Sequence, residues 1–151
     1  MPLKHKHLII SLSCKWPPKD HEEVEAFQSF LIKRIGMQIA HHDTLPKNPM
    51  AYYCGTPGNM GVTGIGILET SHTAIHVWEE EYPAKVEFDL YSCSEFDIEH
   101  VVGMMMTFGI IEGNFYILDR DNRLKIIDSG TIDEDGNIER TNETVTEGEE
   151  E

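Results

Sequence analysis

Between Thr63 and Cys93 the chain carries residue types that could do chemistry together. It reads Thr63-Gly-Ile-Gly-Ile-Leu-Glu-Thr70-Ser71-His72-Thr-Ala-Ile-His76-Val-Trp78 and, further on, Phe88-Asp-Leu-Tyr-Ser-Cys93. A hydroxyl (Ser71) stands in a tight turn between two strand-like runs, an imidazole (His76) on the second run, and a thiol (Cys93) at the end of the next. A hydroxyl, an imidazole and a thiol are residue types that nucleophilic and acid–base chemistry uses. Spacing alone is only suggestive: a Ser in a hairpin turn is usually a turn residue, and a Cys is usually a small buried hydrophobe.

Other clusters are weaker. His72 and His76 stand i, i+4, the spacing that converges metal ligands on a helix. The segment around them is β-branched and alternating, and on a strand that spacing separates the Cα atoms by roughly 13 Å. His41 and His42 point to opposite faces of a strand, so no metal site is expected. Asp133-Glu134-Asp135-Gly136 lacks the acids that a calcium loop needs before and after it, because Thr131 and Asn142 occupy those positions. It reads as a solvated acidic turn. Met104, Met105 and Met106 read as helix core.

The elements that must position these residues follow from periodicity. Leu8, Ile10, Leu12 and Cys14 alternate as a half-buried strand, ended by Pro17-Pro18. Asp20 with Glu23 forms a capping box, and Val24, Phe27, Phe30, Leu31 and Ile35 recur at helical spacing until Gly36. Residues 37–44 read as a second strand and 45–60 as a long Pro-, Gly- and Tyr-rich covering loop. Residues 61–69 and 73–78 form a hairpin, and Val86, Phe88 and Leu90 mark a further strand. A second helix starts in Ser94–Asp97, carries Ile98, Val101, Val102, Met105 and Met106 on one face, and ends at Gly109. Strands over 110–118 and 123–128 follow, joined by Asp119-Arg120-Asp121-Asn122. This pattern predicts an α+β two-layer sandwich, a mainly antiparallel sheet with two helices on one face.

The chain has 151 residues, enough for one domain, with 12 basic and 27 acidic residues and a net charge of −15. So acidic a surface repels nucleic acid and anionic lipid, and no apolar run approaches the ~18 residues of a membrane span. No signal-peptide pattern opens the sequence, and Cys14, Cys54 and Cys93 form no Cys-x-x-Cys pair. A cytoplasmic protein with reduced thiols is the expectation. Nine acidic residues and one Arg fall in 129–151. The expected organisation is therefore a folded unit over 1–128 and a disordered acidic tail over 129–151.

The Ser71-His72-x3-His76-x-Trp78 … Asp89-Leu90-x-x-Cys93 core, with His7-Leu8-Ile9-Ile10 in the first strand, resembles the short, prokaryotic, pyruvoyl-dependent S-adenosylmethionine decarboxylase proenzymes from about His5 to Gly109. The resemblance implies self-cleavage between Thr70 and Ser71 into β (1–70) and α (71–151) chains. Ser71 becomes a pyruvoyl cofactor, His76 acts as the processing base, and Thr63 supplies the assisting hydroxyl. It implies Cys93 as the proton donor in decarboxylation, S-adenosylmethionine as substrate for spermidine synthesis, and a homodimer of α/β units with sites near the interface. A thiol with an ordinary pKa near 8.5 suits proton donation at neutral pH.

Thr70 stands where short members have Glu, and Glu79-Glu80-Glu81-Tyr82-Pro83 replaces a Trp-Pro-Glu-Tyr-Gly turn. The resemblance implies a substrate-binding Glu among Glu79, Glu80 and Glu81, with Glu80 the central candidate. Tyr53 or Tyr52 takes the place of an adenine-stacking Phe. Two alternatives stay open: a pyruvoyl-dependent arginine or ornithine decarboxylase of the same fold, and an uncleaved, non-catalytic homologue acting as a binding partner.

Overall fold

A computed structural model describes residues 4–141. The chain forms one open antiparallel sheet of eight strands: β1 (Lys6–Cys14), β2 (Met50–Cys54), β3 (Gly61–Leu68), β4 (Ser71–Trp78), β5 (Ala84–Ser92), β6 (Ile110–Asp119), β7 (Ile126–Ile132) and β8 (Ile138–Arg140). Their spatial order is β2-β3-β4-β5-β1-β6-β7-β8. Helices α1 (His21–Arg34) and α2 (Ile98–Met105) share one core with the sheet, as the two-layer expectation requires.

The core follows from period-2 alternation. Leu8, Ile10, Leu12 and Cys14 of β1 and Val86, Phe88 and Leu90 of β5 are buried, while the residues between them face the other side of the sheet. Cys14 is sealed in this core, and burial pushes its thiol pKa up to about 11. That makes it an inert filler rather than a nucleophile. Asp20 caps α1 by accepting the Glu23 N–H at 2.9 Å, and Glu23 returns to the Lys19 N–H, one residue outside the usual box. Val24, Phe27, Gln28, Leu31 and Ile32 form the buried stripe. Phe30 lies well round the helix from that stripe and is 63% exposed, against expectation.

Two other expectations are corrected. Residues 37–44 form no strand beyond two isolated bridges, Ile39 to Leu68 and His42 to Leu45. Asn48 lies against that segment and mimics a strand neighbour: its amide donates to the carbonyls of Ala40 and Ile67 and accepts the Ile67 N–H. The strand lies instead at β2, inside the expected covering loop, where β-prone Tyr52 and Tyr53 pair with Thr63 and Val62.

The folded unit also continues past residue 128. Ser129, Gly130 and Ile132 are buried in β7, which pairs with β6 and β8. Asp133 turns the chain between β7 and β8 by accepting the N–H groups of Asp135 and Asn137. The acidic stretch read as tail is partly a hairpin, because its few apolar residues are spaced to reach the core. Residues 142–151 of that expected tail lie outside the described residues.

On the inner face of β3, Gly64 and Gly66 let α1 approach closely. A Cβ on Gly64 would stand 2.3 Å from Val24 Cγ1 and 2.9 Å from Gln28 Nε2. Gly64→Ala is expected to lower stability by about 1–3 kcal/mol through overpacking. Thermal denaturation measures this, and an unchanged midpoint would refute the close approach.

Candidate active site

The β3–β4 hairpin turns on Glu69 and Thr70, with Leu68 opposite Ser71 in the last pair of the ladder. Thr70 takes φ +67°. Turns that need a positive φ favour Gly or Asn there, and a β-branched residue in that region is a steric outlier costing about 1–3 kcal/mol.

Neighbouring β5 ends beside this turn. Thr70 Oγ1 lies 2.8 Å from Cys93 Sγ, and Ser71 Oγ lies 3.8 Å from the same sulfur. Ser71 Oγ also accepts the Cys93 backbone N–H at 3.3 Å. The Thr70 hydroxyl first, then that of Ser71, holds the Cys93 thiol below the usual cysteine range. Ser71 and Cys93, 22 residues apart in sequence, thus meet because β4 and β5 are paired neighbours.

His76 and Thr63 are brought together elsewhere. They form a cross-strand pair with Thr63 Oγ1 3.2 Å from His76 Nδ1. Five residues of strand separate His76 from Ser71, about 17 Å at ~3.4 Å per residue. Within one chain, therefore, the imidazole is out of reach of the Ser71 backbone.

The acidic turn after β4 divides its carboxylates between tasks. Glu79 accepts the Tyr53 hydroxyl at 2.7 Å, which pushes the phenol pKa up, and the Tyr53 ring packs against the core. Glu80 accepts the N–H groups of Gly58 and Met60 at 2.8 and 3.4 Å, tying down the β2–β3 loop. Among the described residues Glu81 has no hydrogen-bond partner. It lines a cleft of about 560 Å³ together with Met60, Trp78, Glu80, Lys85 and Glu87. Tyr52, on the opposite side of β2 from Tyr53, is 70% exposed.

Spacing could not reveal a second cluster, because its members come from three strands and a turn. His7 Nε2 and His72 Nε2 lie 2.7 and 3.1 Å from Asp89 Oδ2. The His72 ring stacks on Tyr91 at 5.8 Å, and the Arg120 guanidinium covers the Tyr91 ring at 5.1 Å. His7, Leu8, Asp89 and Leu90 stand out in the sequence, but only the register makes His7 and His72 neighbours of Tyr91.

Two imidazoles and a carboxylate within 4.8 Å of one another could hold a metal ion. Arg120 argues against it. Its NH1 lies 2.6 Å from His7 Nδ1, and a guanidinium can only donate. His7 therefore accepts there and carries its proton on Nε2, aimed at Asp89, with a fixed positive charge alongside.

The model of the S-adenosylmethionine decarboxylase family matches residues 6–114, more than two-thirds of the chain. A search of curated proteins finds no match. The class so defined is a carboxy-lyase, an enzyme that releases CO2 from its substrate. This chain belongs to the S-adenosylmethionine decarboxylase family.

Burial alone would raise the Asp89 pKa, but the hydrogen bonds of His7 and then His72 outweigh it and hold the carboxyl below its ordinary range. Its contribution is therefore full above the unfolded carboxyl pKa of about 3.9 and is lost as pH falls through the folded value. Asp89→Asn is expected to lose stability at pH 7 and to show a shallower decline than the parent below pH 4. Melting curves from pH 3 to 7 measure this, and parallel curves for parent and variant would refute the assignment.

Proposed function

We propose that the chain is a proenzyme that cuts itself between Thr70 and Ser71 and then decarboxylates S-adenosylmethionine, supplying aminopropyl groups for spermidine. The observation that carries this reading is Ser71 in a strained hairpin turn with the Cys93 thiol 3.8 Å from its hydroxyl. A pyruvoyl group fits that position: it is made from the Ser itself, at the first residue of β4, beside a thiol able to deliver a proton.

When formed, such a group supplies a carbonyl that binds the substrate amine and draws off the electrons released with CO2. The protein's own residues do the rest. Cys93 delivers the proton to the substrate carbon that has lost CO2. A thiol, with an ordinary pKa near 8.5, stays mostly protonated near pH 7 and can still give up its proton. The cleft suits a cationic sulfonium, because its three carboxylates, Glu80, Glu81 and Glu87, outnumber its one cation, Lys85. Tyr52 is free to stack on an adenine, whereas Tyr53 is engaged with Glu79.

The base is proposed to come from a second copy. His76 is about 17 Å along β4 from Ser71 in the same chain. The sheet face bearing His76 exposes Ile9, Met50, Tyr52, Ile65, Ile67 and Trp78. Two such faces stacked about a two-fold axis bury that apolar surface and bring each Thr63–His76 pair toward the partner's hairpin.

Ser71→Ala is expected to remain a single 17.2 kDa chain, whereas the parent gives two bands of about half that size. His76→Ala alone is also expected to stay uncleaved. Co-expressing differently tagged Ser71→Ala and His76→Ala chains restores cleavage of the His76→Ala chain, because it receives His76 from its partner. An uncleaved parent after long incubation overturns the proenzyme reading, and failure of the mixed pair overturns the shared base.

Cys93→Ala is expected to cleave but to lose about 10²-fold or more in kcat. Normal turnover by the purified variant would remove Cys93 as proton donor.

A further inference from the structure

We propose that Thr70 is a positioning residue for self-cleavage, acting through its β-branched side chain at positive φ: the folded turn holds the scissile linkage in a strained conformation that the acyl shift releases. This rests on the self-cleaving reading above.

The strain is imposed from both sides. Upstream, the end of β3 is fastened by Glu69 N–H to Gln38 O at 3.3 Å and Ala40 N–H to Ile67 O at 3.0 Å. The Asn48 amide grips both polar groups of Ile67. Downstream, Ser71 is fastened by the Cys93 N–H and the next residue, His72, by Asp89. Between these fixed points only Glu69 and Thr70 close the turn, and the closure places Thr70 at φ +67°. A sparsely populated backbone conformation persists only where its surroundings over-determine it. Here they do, at the residue whose carbonyl is attacked.

The covalent step explains how the strain is used. Ser71 Oγ forms a bond to the Thr70 carbonyl carbon, and its proton passes to a base. The Thr70–Ser71 C–N bond then breaks, and the nitrogen takes up a proton to become a free amine. The linkage is now an ester through Ser71 Cβ and Oγ, so the connection from the Thr70 carbonyl carbon to Ser71 Cα is longer by one atom and one rotatable bond. Thr70 can leave the left-handed region. Removal of the Ser71 α-proton expels the Thr70 carboxylate, and one water hydrolyses the resulting imine to a ketone and ammonia. Strain present in the amide and lost in the ester raises the ground state relative to the transition state of the first step.

The Thr70 hydroxyl, 2.8 Å from Cys93 Sγ, is a separate feature, and substitutions can divide the two. Thr70→Gly and Thr70→Asn accept positive φ without strain. Thr70→Val keeps the branch and loses the hydroxyl. Cleavage of freshly purified precursor is followed by intact mass, and stability is measured in the uncleavable Ser71→Ala background.

Thr70→Gly and Thr70→Asn are expected to cleave about tenfold more slowly, which is about 1.4 kcal/mol of barrier. With Ser71→Ala they melt about 3 °C higher than Ser71→Ala alone. Thr70→Val cleaves within about threefold of the parent. Gly and Asn variants that cleave as fast as the parent, or that melt no higher in the Ser71→Ala background, overturn the proposal. A Val variant as slow as the Gly variant assigns the effect to the hydroxyl and also overturns it. A parent chain that never cleaves removes the proenzyme reading itself, an outcome separate from all of these.

Discussion

The register of β4 between β3 and β5 is the constraint on which the site depends. It pairs Leu68 with Ser71, Thr63 with His76 and His72 with Tyr91. A slip of one residue would send Thr73, Ile75 and Val77 out of the core and bring His72 and His76 into it. Burial of those three apolar-face residues, together with the closely packed glycines of β3, makes that slip costly. The same alternation that builds the core therefore decides which side chains meet at the hairpin tip and which meet further along the sheet. Ser71 and Cys93 share one place; Thr63 and His76 share another.

Electrostatics work at two scales. Overall, a net charge of −15 favours a cationic substrate and disfavours polyanions. Locally, three adjacent glutamates are given different work by their partners: Glu79 holds Tyr53, Glu80 holds a loop, and Glu81 is left facing the cleft. The His7–Asp89–His72 group lies on the same three strands as that cleft, further along them toward the hairpin tip, with Arg120 setting the proton on His7. Its position one residue beyond Ser71 ties the start of β4 to the body of the sheet.

Much of the fold was legible because it rests on local periodicity. The strand at Leu8–Cys14, both helices and the 61–78 hairpin follow from period and punctuation. Where the reading failed, a longer-range partner decided. Asn48 took the ladder place assigned to 37–44, and β2 was hidden by the Pro and Gly flanking two tyrosines. The last hairpin was masked by its own charge, since Ser129, Gly130 and Ile132 gain burial only once β6 is there to pair with. At the candidate site, residue types marked Ser71, His76 and Cys93, but spacing could not tell that the Thr70 hydroxyl would reach the Cys93 thiol. Nor could it show that His7, from the opposite end of the folding unit, would sit beside His72. The strain at Thr70 was invisible too, because a dihedral angle has no signature in composition.

Strand order has a further consequence. The strand between β5 and β6 is β1, so the part of the chain ahead of the hairpin tip supplies a middle rung, while the part behind it supplies the rungs on either side. A nick at the tip would therefore leave two polypeptides threaded through a single sheet rather than two detachable lobes. Separating them would mean breaking both ladders of β1 and stripping α1 from the shared core. The molecule could lose backbone continuity at that tip and still behave mechanically as one body.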